Sequence, residues 1–153
     1  MDTAMRVCEA RPPMLSTIAV GTDGSATASK AVEVAAEMAQ KFDARLVLLS
    51  AAHDSRAPVT ASGQEELQWA TNPDALLREM LHRTEGDMRD RKIDCTTMID
   101  SGDPGEVLTR LAEECKADLL VIGNRGMHRR VLGSVPNTVT HKAPCSVYVV
   151  KTT

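Results

Sequence analysis

The sequence predicts an α/β domain in which an open parallel sheet is covered by helices on both faces. Short apolar segments alternate with segments of helical spacing over most of the 153 residues, a pattern typical of parallel sheets. The segments at 45–51 and 118–123 are apolar on both faces, which a strand needs when helices pack on either side of it. We therefore expect right-handed crossover connections between the strands.

The first half of the chain supplies three strands and two helices. Residues 15–21 form a strand that ends in Gly21, and small polar residues at 22–25 predict a turn and a helix cap. A second strand spans 45–51, a polar loop spans 52–71, a second helix starts at 72–74, and an edge strand spans 93–100. The helical spacing predicts these inward-facing residues: Ala31, Val34, Ala35, Met38 and Phe42 in the first helix, and Leu76, Leu77, Met80, Leu81 and Met88 in the second.

The second half begins with a clear helix start. Asp103 can cap the helix, Pro104 suits its first position, and Glu106 can reach back to the cap. An apolar strand at 118–123, a short helix at 134–142 and a last strand at 145–151 follow. The inward face of the third helix is predicted to contain Val107, Leu108, Leu111, Ala112 and Cys115.

Composition excludes several classes of protein. The net charge is −3 and there are only three aromatic residues, so we expect no binding of nucleic acid, which favours basic surfaces and stacking platforms. No apolar run approaches the roughly 20 residues of a membrane span. Residues 1–14 have no apolar signal-peptide core and are predicted to form a flexible tail before a single domain at 15–153. Four cysteines without metal-ligand spacing fit a reducing cytoplasm.

Two strand ends carry unusual sequence. In open parallel sheets, ligands bind beyond the carboxyl ends of the strands, and here those ends are 21–24 and 123–126. Gly123, Gly126 and Gly133 would let backbone approach a ligand closely, and Ser134 opens a helix whose N–H groups favour phosphate. Arg125 adds positive charge. The alternative is a glycine-rich turn with a solvated basic face.

Asp23 is the second candidate. At a strand end its carboxylate could accept hydrogen bonds from ribose hydroxyls, or it could cap the helix that starts near Ser25. Asp100 and Asp103 lie at the end of the third strand. They are interpreted as a strand exit and a helix cap, with a metal site as the alternative.

Together these motifs resemble the universal stress protein family. The resemblance rests on Gly123-x-x-Gly126 before Gly133-Ser134, on Val-Gly-Thr-Asp-Gly-Ser at 20–25, on Ala-Asp-Leu-Leu-Val-Ile-Gly at 117–123 and on Ala-Pro-Cys-Ser-Val at 143–147. It covers residues 15–151. It implies a five-stranded sheet of order 3-2-1-4-5, a homodimer, and a bound adenine nucleotide: ATP, with Mg²⁺ where ATP is the ligand, or AMP or cyclic AMP.

The resemblance also implies a role for each site residue. Thr22 and Asp23, after Gly21, would lie by the base and ribose, Ala51 would offer backbone to adenine, and Ile122 and Gly123 would line the ribose side. The phosphates would fall to the remaining residues, Gly126, Gly133, Ser134 and Val135, with Arg125 beside them. The strand at 145–151 would be a sheet edge, and an apolar edge invites pairing with a second copy.

The chain departs from the family in one loop. The family's ATP-binding members have nine residues between the second glycine and the Gly-Ser pair, whereas this chain has six, at 127–132. The difference puts a triphosphate in more doubt than the adenosine.

Catalytic motifs are missing from the sequence. Neither a Walker A sequence nor a G-x-S-x-G elbow occurs, and we expect a regulatory protein rather than an enzyme, although slow hydrolysis of bound ATP stays open. Two alternatives remain: a nucleotide-free interaction module of the same fold, and an enzyme that uses adenine nucleotides.

Overall fold

The computed structural model describes residues 14–52, 73–124 and 132–151. Within them, every strand and helix predicted from the sequence is present, with bounds that shift by one or two residues. The elements in chain order are β1 (Thr17–Gly21), α1 (Ala26–Phe42), β2 (Arg45–Ala52), α2 (Pro73–Asp90), β3 (Cys95–Ser101), α3 (Pro104–Glu114), β4 (Leu119–Asn124), α4 (Ser134–Lys142) and β5 (Ser146–Lys151).

The sheet is parallel throughout and has the order β3-β2-β1-β4-β5, which confirms the predicted topology. The chain builds outward from β1 to β3 on one side and then crosses over to β4 and β5 on the other. β1 and β4 are therefore neighbours that belong to different halves of the fold, with Ile18 in register with Leu119. A crevice opens at such a switch point because the connections leave the two strands toward opposite faces of the sheet.

Helices cover both faces of the sheet and enclose two apolar cores. Alternate strand residues, such as Val20, Leu48 and Val121, pack under α1 and α2. The intervening residues, such as Ala19, Leu49 and Leu120, pack under α3 and α4. The central strands are therefore buried on both sides, as their continuous apolar sequence predicts.

Two residues predicted to face the core lie on the surface instead. Phe42 is 51% exposed and Leu76 is 52% exposed. The buried face of α1 is made mostly of alanine: Ala28, Ala31, Val32, Ala35, Ala36 and Ala39. Small side chains bring this helix close to the sheet, so the larger Val34 and Met38 pack only at the margin of the core.

Capping confirms part of the predicted start of α3. The Asp103 carboxylate accepts a hydrogen bond from the Glu106 N–H at 3.1 Å, and Pro104 occupies the first turn. Glu106 does not reach back to the cap as predicted; its carboxylate pairs with Lys142 of α4. The side chain that would close the cap instead ties α3 to its neighbouring helix.

The predicted tail at 1–14 lies outside the described residues apart from Met14, and so does nearly all of the predicted loop at 52–71. None of the helices in the described ranges is long and apolar enough to cross a bilayer.

Candidate functional site

A cavity of ≈ 390 Å³ opens beyond the carboxyl ends of β1 and β4. Its volume lies within the range of small-molecule sites, roughly 300–1,000 Å³. Strand ends, the start of α1, the first turns of α3 and the start of α4 all contribute to the wall. The lining residues are Gly21, Thr22, Asp23, Ser25, Thr27, Ala28, Ala51, Pro104, Leu108, Ile122, Gly123, Gly133, Ser134, Val135 and Pro136.

The structure brings most of the sequence-predicted site residues together around this one cavity. Arg125 and Gly126 lie outside the described residues. The other nine candidates all line the cavity: Gly21, Thr22, Asp23, Ala51, Ile122, Gly123, Gly133, Ser134 and Val135. Residues separated by more than 100 positions thus share one wall because parallel strands end at the same edge of the sheet.

The turn after β1 is held by its own side chains. The Gly24 N–H donates to the Thr22 hydroxyl at 3.2 Å, and the Ser25 N–H donates to Asp23 Oδ1 at 2.9 Å. Ser25, not Asp23, is the cap of α1, because its hydroxyl accepts from the Ala28 N–H. Asp23 is therefore a turn residue that also lines the cavity.

One side of the cavity is apolar, and no sequence pattern predicted it. Leu108 of α3 reaches the wall because Gly21 has no side chain: a Cβ at Gly21 would lie 2.8 Å from a Leu108 methyl group. Sequence spacing placed Leu108 on the inner face of its helix. The spacing does not show that this face also borders the cavity. That follows only from the fold, in which α3 comes after β3, two strands away from β1 in the sheet.

Three helices begin at the cavity, and they differ in how their first N–H groups are satisfied. Ser25 caps α1 and Asp103 caps α3 with side-chain hydrogen bonds. In α4 the cap is Gly133, and within the described part of the chain no side chain caps this helix and its first turn contains no acid. The N–H groups of Ser134 and Val135 therefore present the positive end of a helix dipole to the cavity, which favours an anion there.

Two buried polar side chains lie just behind the cavity wall, and neither was predicted from the sequence. Among the described residues, only Ser50 and Asn124 are polar and buried, with 1% and 2% exposure. The Ser50 hydroxyl donates to the Thr22 carbonyl at 2.7 Å. Asn124 Oδ1 accepts from the Gly133 N–H at 3.2 Å. A polar residue near the end of an otherwise apolar strand is the signal that would have pointed to them.

The acidic residues at the end of β3 make structural contacts. Asp100 accepts from the Ser101 N–H and pairs with Arg110 at 2.6 Å, and these two contacts lower the pKa of its carboxyl group. Asp103 caps α3. Across residues 14–52, 73–124 and 132–151, no cluster of three or more potential metal ligands is found, so the alternative of a metal site at these aspartates gains no support.

The three cysteines among the described residues are buried or half-buried. Burial raises the pKa of Cys95 to about 12, and burial also raises the pKa of Cys115 and Cys145. A raised pKa keeps a thiol protonated at neutral pH, whereas the thiolate is the nucleophile. None of these three cysteines lines the cavity.

Comparison with known proteins identifies the family. Residues 14–151 match the universal stress protein family. The chain belongs to this family. A curated universal stress protein of Mycobacterium tuberculosis is 35% identical over 147 residues, which cover 90% of this chain and 97% of the relative.

Solved structures of the family share the architecture. A crystal structure of a universal stress protein in complex with cAMP is 30% identical, with a TM-score of 0.71 over 92% of this chain and 99% of that chain. An Arabidopsis thaliana family protein with AMP bound is 20% identical, with a TM-score of 0.70 over 90% of this chain and 92% of that chain. The second likeness supports the fold alone.

Proposed function

We propose that this protein binds one adenine nucleotide in the cavity between β1 and β4 and acts as a regulatory stress-response protein of the cytoplasm. One observation carries the proposal. The uncapped start of α4 borders the same cavity as Asp23 and Ala51, so an anion site and a polar site for a sugar and base face one another across a volume of suitable size.

Each part of the nucleotide has a matching part of the wall. The Asp23 carboxylate accepts hydrogen bonds from the ribose hydroxyls, and the backbone of Ala51 meets the adenine edge. Ile122 and Gly123 border the ribose. The phosphate lies beside Gly133 on the N–H groups of Ser134 and Val135 at the start of α4, with Arg125 and Gly126 as further proposed contacts.

The α4 terminus favours few phosphates. Pro136, the third residue of α4, has no N–H to offer, and the loop at 127–132 is short. We expect ATP, ADP, AMP and cyclic AMP to bind within about one to two orders of magnitude of one another, or roughly 1.4–2.8 kcal/mol. The 30% identical protein in complex with cAMP supports a ligand with one phosphate; Mg²⁺ would accompany ATP.

The proposed role is binding rather than catalysis. Among the described residues, burial raises the pKa of Cys95, Cys115 and Cys145, and Asp103 and Asp100 are engaged in a helix cap and an ion pair. These observations support binding, because a nucleophile or general base needs a reactive group at the cavity. The bound nucleotide would act by changing the protein surface that a partner or a second copy contacts.

We further propose that the protein is a homodimer that pairs through β5. This strand is an edge of the sheet, and all of its residues except the buried Val150 are at least partly exposed, with Tyr148 at 44%. An apolar edge strand with unpaired backbone groups favours pairing, and a two-fold axis closes such pairing into a dimer.

Co-purified ligand is the first test of nucleotide binding. Purified protein is denatured, the released small molecules are measured by absorbance at 260 nm and by mass spectrometry, and the refolded or stripped protein is titrated calorimetrically with adenosine, AMP, cyclic AMP and ATP. We expect an adenine nucleotide bound at about one per chain. Absence of released nucleotide together with no heat of binding at millimolar ligand would favour the nucleotide-free interaction module instead.

A further inference from the structure

Ser50 and Asn124 differ from the rest of the buried sheet. Among the described strands, Ser50 and Asn124 are the only buried polar residues; the other buried residues are apolar or glycine. Burying a polar group costs free energy unless it is hydrogen-bonded, and an alanine or valine would fill similar space without that cost. Their use at the ends of β2 and β4 therefore points to something other than packing.

Both hydrogen bonds end on backbone that forms the cavity wall. Ser50 donates to the Thr22 carbonyl, and Asn124 accepts from the Gly133 N–H. Thr22 and Gly133 line the cavity, whereas Ser50 and Asn124 do not. Each buried side chain thus holds one half of the site from behind.

We propose that Ser50 and Asn124 are positioning residues, the first for the adenosine half of the site and the second for the phosphate half. The inference rests on the proposed nucleotide binding and assigns the two halves of that ligand to two separate supports.

The Asn124 contact determines which N–H groups the cavity meets. Because Gly133 has no side chain, α4 lacks the cap that α1 and α3 have. The Asn124 side chain accepts a hydrogen bond from the Gly133 N–H. The next two N–H groups, those of Ser134 and Val135, remain for the anion. The amide is also neutral, so the support adds no negative charge beside the phosphate.

The Ser50 contact fixes the turn that carries Asp23. The Thr22 N–H donates to the Leu49 carbonyl at 2.9 Å, and the Thr22 carbonyl accepts from Ser50 at 2.7 Å. Because the N–H and the carbonyl of Thr22 are both hydrogen-bonded, the backbone that leads into Asp23 is held in one orientation. Loss of the Ser50 hydroxyl frees the carbonyl and lets the Asp23 carboxylate move away from the ribose.

The test separates the two halves by using two ligands. Adenosine and AMP are titrated calorimetrically into wild type, Ser50→Ala and Asn124→Ala, and the AMP-to-adenosine affinity ratio is compared. Asn124→Ala should lower this ratio about tenfold, the effect of one hydrogen bond, while adenosine affinity stays within about twofold. Ser50→Ala should lower adenosine affinity about tenfold with the ratio unchanged.

Two further variants complete the test: one is a control, and the other replaces Asn124→Ala if that variant does not fold. Asn137→Ala, at an exposed asparagine of α4, should change neither affinity. Asn124→Asp keeps the size of the side chain and an acceptor for Gly133 but adds negative charge, so it should lower the AMP-to-adenosine ratio while keeping adenosine affinity. This variant carries the test if Asn124→Ala does not fold.

A purely structural role predicts a different pattern. In that case Asn124→Ala and Asn124→Asp lower both affinities in equal proportion, every loss of affinity, including that of Ser50→Ala, follows the fall in melting temperature, and the inference is overturned. Wild-type protein that binds neither ligand overturns the proposed function itself. Wild-type binding with an unchanged ratio in Asn124→Ala and Asn124→Asp overturns the positioning role alone.

Discussion

Asp23 contributes both to the turn after β1 and to the cavity wall. One carboxylate oxygen accepts from the Ser25 N–H and shapes the turn, and Asp23 also lines the cavity. The alternative predicted from the sequence, a helix cap, is wrong, because Ser25 caps α1. A role in the turn is compatible with the proposed role as a ribose ligand. The two roles can be separated because alanine removes both and asparagine removes mainly the charge.

Substitution of Asp23 should weaken nucleotide binding. We expect Asp23→Ala to reduce AMP affinity by about 1–3 kcal/mol, the range for a hydrogen bond to a charged group, and Asp23→Asn to lose a substantial part of this while keeping the turn. Calorimetry measures both, and Asp43→Asn at the far end of α1 is the control, since asparagine also tolerates the left-handed conformation there. Unchanged affinity in Asp23→Ala would remove this residue from the site.

The residues that line the site were predictable to different degrees. Glycines and small polar residues at strand ends, such as Gly123 and Ser134, stand out in sequence because they interrupt apolar runs. Leu108 did not stand out, since a leucine on the inner face of a helix serves core and cavity equally well. Ser50 and Asn124 act through backbone atoms of distant residues, and single-sequence patterns do not contain that pairing.

At the scale of elements, alternation of strands and helices was enough to predict the architecture. Helix faces were harder. Hydropathy favoured Phe42 for the inner face of α1, but the helix lies so close to the sheet that alanines such as Ala35 and Ala36, both fully buried, make the contact. Spacing alone does not reveal the distance between a helix and the sheet, which determines the side-chain size that fits.

The contact between α3 and α4 shows the same dependence on small residues. A Cβ at Gly105 would lie 2.8 Å from the side chain of Thr138, and the Glu106–Lys142 ion pair joins the same two helices. Both helices begin at the cavity, so their close approach sets its width.

Enlarging Gly105 should therefore destabilise the protein. We expect Gly105→Ala to lower the free energy of unfolding by about 1–3 kcal/mol, as overpacking does. Gly86→Ala in α2 is the matched control: no atom lies within 4 Å of its added Cβ, so it should raise stability by about 0.5–1 kcal/mol. Urea unfolding checks both variants. Equal effects of the two substitutions would contradict the tight α3–α4 contact.

In the whole molecule, the two edge strands of the sheet differ in how well they suit pairing with a second copy. β3 and β5 each pair with a strand on one side only within the described sheet. β5 is apolar apart from Ser146 and its final lysine, whereas β3 contains the polar Thr96, Thr97 and Asp100. This difference is why the proposed dimer uses β5.

A charge on the proposed interface should separate the dimer. We expect wild type to be dimeric at micromolar concentration and Tyr148→Lys to be monomeric, because lysine on an edge strand opposes pairing. Thr96→Lys, an exposed position on β3, should leave the dimer intact. Light scattering after size exclusion measures all three. A monomeric wild type, or a Tyr148→Lys variant that stays dimeric, would rule out pairing through β5.

The central claim is that an adenine nucleotide occupies the cavity between β1 and β4. A titration of ¹⁵N-labelled protein with AMP, followed by two-dimensional amide NMR, tests both binding and place. The account predicts saturable shifts concentrated at the N–H groups of Thr22, Asp23, Gly123, Ser134 and Val135, with little change at the opposite end of the sheet near Asp43 and Lys92. An unchanged spectrum at millimolar AMP, or shifts confined to residues away from this cavity, would contradict it.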